Sequence, residues 1–393
     1  MKAVTWHGKR DVRVDEVTDP AIKEPTDAVI KVTTTGICGS DLHLYEVLGP
    51  FMGEGDILGH EAMGIVEEVG AEVAQIKPGD RVVIPFNISC GHCFMCERAL
   101  FAQCETTQVR DHGMGGALFG YTKLYGEVPG GQAEYLRVPQ AQFGPVKVPE
   151  GPPDERFVYL SDVLPTAWQA VEYAGVSRGG DLTVLGLGPI GQMCCRVARH
   201  RGLRVIGVDR VPERLSMAQR HGAEVVDASA VDDVGEAVRD LTKGRGTEGV
   251  IDAVGMEAHG SPVAHMAQRL TGLLPDKVAA PMMTTAGVDR LAAFNRAVDV
   301  VRRGGTISVI GVYGGMADPL PMLRMFDKGV SLRMGQAHVK RWMDTLLPLV
   351  TDDYDPLGTE DLATHILPLD QAPHGYEIFQ KKQDRAIKVL LTP

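Results

Sequence analysis

Four cysteines lie close together at residues 88–104, in the stretch ISCGHCFMCERALFAQC. They are Cys90, Cys93, Cys96 and Cys104, which gives the spacing C-x2-C-x2-C-x7-C. Thiolates at this spacing can converge on one point and suit tetrahedral zinc, whereas disulfides are rare in a reducing compartment. Four thiolates also leave no coordination position open for a substrate. The spacing therefore predicts a structural zinc site in a lobe at residues 88–104, with any chemistry elsewhere.

Two short motifs earlier in the chain contain candidates for a second metal site. Residues 36–43 read GICGSDLH and residues 58–64 read LGHEAMG, in short loops beside β-like runs. They supply Cys38 and His60, a soft thiolate and an imidazole, and both are ligands that zinc accepts. Either residue alone would more often be structural. The prediction of a metal site here therefore depends on the other motifs of the chain.

A glycine-rich turn at residues 186–191 has the pattern G-x-G-x-x-G between a predicted strand and a predicted helix. Such glycines allow a tight turn and close backbone approach, with the helix N-terminus facing a pyrophosphate. Asp209 ends the next predicted strand, where a carboxylate can bind a ribose diol and repel a 2′-phosphate. NAD is therefore favoured over NADP, although the adjacent Arg210 would suit a phosphate. The candidate residues of the turn are Gly186, Gly188, Pro189, Ile190 and Gly191.

The elements that must position these residues change character along the chain. Residues 1–162 contain short β-like runs separated by Gly and Pro, which predicts a mostly β domain. Residues 163–335 alternate strand-like and helix-like segments, which predicts a doubly wound parallel sheet covered by helices on both faces. Residues 336–393 return to mixed sequence and close with the strand-like AIKVLLTP. The chain of 393 residues is thus predicted to be α/β, with two domains.

Composition narrows the class of partners. The formal net charge is −11, with no long basic run, which argues against nucleic acid or an anionic membrane as the main partner. No uncharged apolar run reaches the roughly 18 residues of a membrane span, and the N-terminal sequence has no apolar signal segment. We therefore expect a cytoplasmic protein that acts on a small molecule.

Taken together, these motifs resemble the zinc-dependent medium-chain alcohol dehydrogenases. The motifs are GICGSDLH, GHEAMGIVEEVGAEV, the cysteine cluster, GLGPIG with Asp209, and AIKVLL. The resemblance implies a GroES-like catalytic domain, a Rossmann domain that binds NAD, and a catalytic zinc in the cleft between them. With the structural zinc, this gives two zinc ions per chain. It also implies a homodimer or homotetramer.

The resemblance assigns the catalytic zinc residue by residue. Cys38 and His60 match the family's first two ligands. The stretch YLSDVLPTAW offers Asp162 where many members have Cys or Glu, and this departure resembles the branch of glutathione-independent formaldehyde dehydrogenase and formaldehyde dismutase. The later GQAHV also resembles that branch. Water or Glu61 would be the fourth group, and Asp41 would orient His60 through its other ring nitrogen.

The resemblance also implies a proton path and two cofactor contacts. Ser40 matches the family's hydroxyl relay and His43 its outer base, a task that suits the histidine pKa of about 6.5. By the same resemblance, Thr166 contacts the nicotinamide and Lys388 approaches the pyrophosphate. The predicted function is hydride transfer between NAD and a small alcohol or aldehyde. A polyol or amino-alcohol dehydrogenase, or a non-catalytic NAD- and zinc-binding protein, stays open as an alternative.

One segment of the predicted Rossmann domain is too long for an ordinary connection. Residues 256–290 separate a strand from a helix, where about 2–6 residues are usual. Their apolar residues argue against disorder. A surface elaboration or a subunit contact is as plausible as our sharper hypothesis, in which the insertion folds over the adenosine end of NAD and slows its release. Such retention is known in the formaldehyde-oxidising branch that the chain resembles.

Overall fold

The computed structural model describes residues 1–255, 291–313 and 320–393. The contacts divide the chain into two units, residues 1–166 with 337–393 and residues 167–336. These boundaries differ by four residues and by one residue from the predicted ones at 162 and 335. The predicted insertion at 256–290 lies outside the described residues.

The strands and helices alternate as the sequence pattern indicates. The strands are β1 (Lys2–Gly8), β2 (Asp11–Glu16), β3 (Ala28–Ile37), β4 (Glu61–Val69), β5 (Arg81–Ile84), β6 (Tyr135–Val138), β7 (Val146–Lys147), β8 (Asp181–Leu185), β9 (Arg204–Asp209), β10 (Glu224–Asp227), β11 (Thr247–Asp252), β12 (Val301–Val309), β13 (Ser331–Met334), β14 (His365–Pro368) and β15 (Val389–Thr392). The helices are α1 (Gly39–Glu46), α2 (Asp154–Phe157), α3 (Val163–Ala174), α4 (Pro189–His200), α5 (Pro212–Arg220), α6 (Val234–Leu241), α7 (Ala292–Val300), α8 (Met322–Lys328), α9 (Met343–Thr351) and α10 (Ala372–Lys381).

The first unit is built on a seven-stranded sheet in the order β14-β15-β3-β4-β5-β7, with β6 also paired to β3. Apolar side chains of β3, β4, β5 and β6 form a buried core beneath it. Strands β3 and β4 are antiparallel, with Gly36 opposite Glu61 in the register. Because of this pairing, the residue after β3 and the residue before β4 meet at one end of the sheet. Those residues are Cys38 and His60.

The second unit contains a six-stranded parallel sheet in the order β10-β9-β8-β11-β12-β13. Strands β8 and β11 are neighbours, although β9 and β10 lie on the other side of β8. The order of connection reverses at that point, and ligands of such sheets bind there, outside the carboxyl ends of the strands. The predicted α/β class, with a mostly β unit and a doubly wound parallel unit, is confirmed.

Two local predictions differ from the structure. The sequence of residues 291–305 predicts a helix, followed by a strand from Thr306. In the structure the helix ends at Val300, and β12 begins at Val301. The register with β11 shifts in this part of β12, where Gly304 has a φ of +67°, so an irregular strand start replaces the last helical turn. The motif GICGSDLH forms the start of α1 rather than a loop. Within the described ranges, the helices are too short or too polar to cross a bilayer.

Candidate functional site

Four potential metal ligands converge at one end of the first unit's sheet. Cys38 precedes α1, His60 and Glu61 stand at the start of β4, and Asp162 follows a 3-10 helix at Val158–Ser161. All four residues are buried, and each offers a ligand atom within 4.8 Å of the others. Separate sequence segments therefore bring a thiol, an imidazole and two carboxylates to one point.

The closest contacts within this set join Cys38, His60 and Asp162. The Cys38 thiol lies 3.3 Å from Asp162 Oδ2, and His60 Nε2 lies 3.5 Å from the same oxygen. Sulfur, imidazole nitrogen and carboxylate oxygen are all zinc donors, so the chemistry of the set fits this metal. Three protein ligands with a further position for substrate or water are typical of catalytic zinc sites. The assignment as zinc ligands stays a prediction.

The electrostatics of this set favour a divalent cation. Burial and the nearby Asp162 carboxylate raise the pKa of the Cys38 thiol to about 12. Burial opposes charge on His60, but the Asp41 and Asp162 carboxylates and the Cys38 side chain together outweigh it, so the pKa of His60 lies well above its usual value. Burial also raises the pKa of Asp162, yet His60, Thr166 and Cys38 together outweigh it and the pKa is lowered. A bound metal would supply the positive charge that the protons supply here, because ligands must deprotonate to bind.

A buried carboxylate lies beside the other ring nitrogen of His60 and is itself held by hydrogen bonds. Its Nδ1 lies 3.1 Å from Asp41 Oδ1, and Asp41 Oδ2 accepts the Cys38 backbone N–H at 2.9 Å. The Gln132 amide donates to the same Asp41 oxygen at 3.1 Å, and the Tyr376 hydroxyl donates to Gln132 at 2.8 Å. Asp41 thereby fixes both the ring of one ligand and the backbone of another. Such outer contacts orient metal-binding histidines.

The predicted proton-relay residues lie on the first turns of α1. The Ser40 hydroxyl lies 3.2 Å from His60 Nε2 and is partly accessible. His43 is three residues further along the helix and is buried, so it is not the exposed loop residue that its sequence alone would suggest. Residues three apart on a helix share one face. Ser40 and His43 therefore follow each other along one side of α1.

Two residues expected at the cofactor have other partners in the structure. The Thr166 hydroxyl donates to Asp162 Oδ1 at 2.7 Å, so it supports a candidate ligand. The Lys388 ammonium is fully buried on the Glu61 carboxylate, at 2.5 Å from Oε2. A pyrophosphate contact would require this ammonium to leave Glu61, and the contact of Lys388 with the cofactor stays a prediction. The partner of Thr166 is four residues away in the sequence, whereas the partner of Lys388 is 327 residues away.

The four cysteines of residues 88–104 form a compact cluster. The Sγ atoms of Cys90 and Cys96 are 4.0 Å apart, and those of Cys93 and Cys104 are 3.9 Å apart. A tetrahedron with zinc–sulfur bonds of about 2.3 Å has edges of about 3.8 Å. The spacing thus fits a closed four-thiolate zinc site.

Hydrogen-bond donors contact two of the sulfur atoms of the cluster. The N–H of Glu105 donates to Cys93 at 3.3 Å, and the Thr106 hydroxyl donates to Cys90 at 3.1 Å. Burial opposes charge on Cys93, but the backbone N–H groups beside it lower its pKa to about 6. The lobe is also tied to the C-terminal segment, because the Ala102 N–H donates to His338 Nδ1 at 3.2 Å. Sequence reasoning missed this last contact.

The glycine-rich turn of the second unit leads directly from β8 into α4. Gly186 has a φ of +84°, which disfavours a side chain. A Cβ on Gly191 would lie 1.9 Å from the Gly186 carbonyl oxygen, so the helix could not pack this close to the turn. Gly188 is the N-cap of α4, and Pro189 and Ile190 form its first positions. The helix start is therefore open to an anion, which would meet its unpaired N–H groups.

Asp209 connects β9 to this turn. Its Oδ2 accepts the N–H of Leu187 at 2.7 Å, and its Oδ1 accepts the N–H groups of Arg210 and Val211 at 2.6 and 2.9 Å. The buried Arg214 guanidinium lies 3.8 Å from Oδ2, whereas Arg210 is exposed. Each carboxylate oxygen has two lone pairs, so Oδ2 retains acceptor capacity for a ribose hydroxyl.

Comparisons with known protein families agree with this arrangement. Residues 24–150 match the model of the alcohol dehydrogenase GroES-like domain, and residues 189–272 match that of the zinc-binding dehydrogenase. The first range contains most of the candidate metal ligands, and the second begins within the glycine-rich turn.

Individual relatives cover the whole chain. An uncharacterized zinc-type alcohol dehydrogenase-like protein of Bacillus subtilis is 44% identical, with 100% of each chain covered. A formaldehyde dismutase of Pseudomonas putida is 33% identical over 97% of this chain and 95% of its own length. Among solved structures, the alcohol dehydrogenase TADH of Thermus sp. ATN1 has a TM-score of 0.83 and 34% identity, with 100% of this chain and 99% of that chain covered.

Proposed function

We propose that this chain, which belongs to the zinc-type medium-chain alcohol dehydrogenase family, transfers hydride between NAD and a small alcohol or aldehyde. In this it would act in the manner of a formaldehyde dehydrogenase. The observation that carries this proposal is the convergence of Cys38, His60 and Asp162 beside the partly accessible hydroxyl of Ser40. This arrangement combines a three-ligand metal site with a group able to move a proton.

Each part of the site has a task in this reaction. Cys38, His60 and Asp162 would hold zinc, which when bound supplies a Lewis acid that polarises a carbonyl or lowers the pKa of an alcohol. Asp41 keeps the ring of His60 oriented, and Thr166 keeps the carboxylate of Asp162 oriented, by the contacts described above. The turn at 186–191 and Asp209 would hold the pyrophosphate and the ribose of NAD.

Ser40 and His43 would carry the substrate proton. Ser40 is the polar group nearest to the ring nitrogen that faces Asp162, and a hydroxyl can accept and donate a proton at once. His43 follows on the same side of α1, and histidine exchanges protons near neutral pH. We assign the transfer from substrate to Ser40 and then to His43.

The choice of formaldehyde among small substrates rests on the third ligand and on a relative. Asp162 stands at the position where many members of the family have Cys or Glu and where the formaldehyde-oxidising branch has Asp. A Pseudomonas putida relative over nearly the full chain is named formaldehyde dismutase. A polyol or amino-alcohol dehydrogenase is the second candidate, since the same metal chemistry acts on longer alcohols.

A substrate screen with metal analysis tests the proposal. The purified protein is assayed for zinc and for NADH fluorescence with formaldehyde, short alcohols, polyols and amino alcohols. We expect two zinc ions per chain and the highest kcat/KM with the smallest aldehydes and alcohols. A preference for polyols or amino alcohols would favour the second candidate. Zinc and NAD binding without turnover of any substrate would instead indicate the non-catalytic alternative.

A further inference from the structure

A fully buried ion pair lies against the candidate metal site. The Lys388 ammonium lies 2.6 and 2.5 Å from the two carboxylate oxygens of Glu61, and it donates to the Ile37 carbonyl at 3.0 Å. Neither charged side chain has any solvent exposure. An ammonium has three N–H donors, and these three acceptors match them in number. The pair therefore satisfies the donors of Lys388 without water.

The backbone beside the ion pair has a glycine, Gly36, where a side chain would collide with the two charged groups. Gly36 lies opposite Glu61 in the β3–β4 register. A Cβ on Gly36 would lie 2.3 Å from Glu61 Oε2 and 2.9 Å from the Lys388 ammonium. Three chain segments thus meet around the two charges, and the ion pair occupies the volume that a side chain at Gly36 would take.

Such a pair is not required for packing. Removing two charges from water is costly, and apolar residues of similar volume often replace a buried ion pair without loss of stability. Breaking the pair by removing one partner is strongly destabilising, because it leaves a buried charge without compensation. We therefore look for the role of these two charges in the candidate metal site beside them.

Glu61 is one of the four residues whose ligand atoms converge within 4.8 Å. A carboxylate at that distance is able to bind zinc. With Cys38, His60 and Asp162 already in place, Glu61 would be a fourth protein ligand, and a tetrahedral site would then be closed to substrate. It would also add a negative charge to a centre that a thiolate and one carboxylate already make neutral with Zn²⁺.

We propose that Lys388 is a positioning residue that holds the Glu61 carboxylate off the metal and so keeps one coordination position open. The proposal rests on the proposed function, because it needs a metal at Cys38, His60 and Asp162. It assigns Glu61 to the surroundings of the metal rather than to its ligands.

Cobalt substitution tests this directly, because the d–d absorption of Co²⁺ reports its coordination number and ligands. The full-length protein is loaded with Co²⁺ as wild type, as Lys388→Met and as the double variant Lys388→Met with Glu61→Gln. In Lys388→Met we expect the freed carboxylate to join the metal, which shifts and weakens the band. In the double variant the band should return towards that of the wild type, since an amide is a poor ligand.

Zinc release to a chromogenic chelator gives a second readout that does not depend on turnover. We expect release to be about tenfold slower in Lys388→Met than in the wild type, a size typical of changes around a metal site. The kcat should fall while the KM for NAD stays constant. Lys388→Arg, which keeps the positive charge, should retain most of the wild-type spectrum.

The outcomes separate this inference from the function on which it rests. Lys388→Met with the wild-type cobalt spectrum and the wild-type zinc release rate would overturn the role of Lys388 and leave the proposed function intact. A wild-type protein with zinc only at the four cysteines would overturn both. If Lys388→Met fails to fold, the double variant, in which both charges are gone, still tests the proposal. A cobalt spectrum of a closed site in that variant would contradict the proposal, because the Glu61 carboxylate that should close the site is absent.

Discussion

At the scale of single residues, Asp162 is the candidate ligand that most distinguishes this site. It contacts both Cys38 and His60 through one oxygen, and its other oxygen is held by Thr166. The other carboxylate of the converging set, Glu61, is bound to the Lys388 ammonium. A metal at this site would therefore depend on Asp162 for its third protein ligand.

We expect Asp162→Ala to reduce zinc from two ions to about one per chain and to abolish nearly all turnover, because two ligands rarely hold zinc in a catalytic geometry. Metal analysis after gel filtration measures this. The exposed Asp353→Ala is the matched control and should retain both ions. Two zinc ions with normal activity in Asp162→Ala would show that another residue is the third ligand.

The sequence was sufficient for the candidate ligands but not for the residues around them. Cys38 and His60 stand in short motifs, and together with the glycine-rich turn and the cysteine cluster these motifs indicate zinc. The partners Gln132, Tyr376 and Lys388 are 91, 244 and 327 residues away in sequence from the groups they contact. A single sequence contains no local signal for contacts over such separations, so these contacts are seen only in the folded structure.

At the scale of structural elements, the cysteine lobe is a stretch of 3-10 turns with little core of its own. Its own hydrophobic cluster consists of three of the four cysteines together with Phe101. Metal binding at such a site is coupled to folding of the loop that supplies the ligands. The lobe should therefore lose structure before the rest of the first unit does.

We expect Cys96→Ser to lower the thermal midpoint and to expose residues 88–104 to proteolysis, with catalysis impaired only as a consequence. Limited proteolysis with mass spectrometry locates the cleavage. Cys194→Ser removes another fully buried thiol, which lies on α4 outside the cluster, and should leave the zinc content unchanged. Equal zinc loss in both variants would argue against a metal at the four cysteines.

The contact of this lobe with the C-terminal segment is sensitive to pH. Burial and the nearby Arg341 lower the pKa of His338 to about 4. A histidine with a depressed folded-state pKa contributes stability that is present above its unfolded value of about 6.5 and is lost as pH falls towards 4. Protonation would also remove the acceptor that Nδ1 offers to the Ala102 N–H.

We therefore expect the wild type to lose more stability than His338→Gln between pH 7 and pH 5. Urea unfolding at both values measures the difference, and all other titrating groups are common to the two proteins. Parallel pH profiles would mean that His338 is protonated in the folded state without cost.

Asp209 does two things at the end of β9. It binds the backbone of the glycine-rich turn, and it presents a negative charge where NADP would carry its 2′-phosphate. We expect Asp209→Gly to weaken NAD binding and to relax discrimination against NADP, as measured by cofactor titration. Asp227→Gly, at the matching position of the neighbouring strand β10, should leave the preference unchanged. A wild type that already prefers NADP would show that our interpretation of Asp209 is wrong.

Element types followed from the sequence more readily than element ends. The strand–helix alternation predicted α4, α5 and α6, although α4 is buried on nearly all sides whereas α5 and α6 are only partly buried. The start of β12 was missed because the run with Arg302 and Arg303 has helix-forming composition, whereas pairing with β11 draws it into the sheet. Tertiary pairing overrides local propensity at such positions.

At the scale of the whole molecule, retention of NAD would distinguish a dismutase from an ordinary dehydrogenase. A dehydrogenase that keeps its cofactor would oxidise one aldehyde and reduce the next, which gives acid and alcohol without added NAD. The insertion at 256–290, which would hold the cofactor, lies outside the described residues, so this stays a prediction from the sequence.

We expect the purified protein to carry NAD through gel filtration and to convert formaldehyde to formate and methanol with no cofactor added. Absorbance at 260 nm and product analysis measure the two effects. Cofactor-free protein that needs added NAD in every turnover would identify an ordinary dehydrogenase, with another role for the insertion.

The interrupted first unit has a consequence for how the protein is made. Glu61 emerges from the ribosome 327 residues before Lys388, which at roughly 5–20 residues per second is an interval of about 16–65 s. The second unit, at residues 167–336, is continuous and is synthesised within that interval. Through this time β3 lacks its neighbour β15, and Glu61 lacks its counter-charge. Until that C-terminal strand arrives, no ammonium holds the Glu61 carboxylate, so a metal that the nascent chain bound during synthesis would meet four protein ligands instead of three.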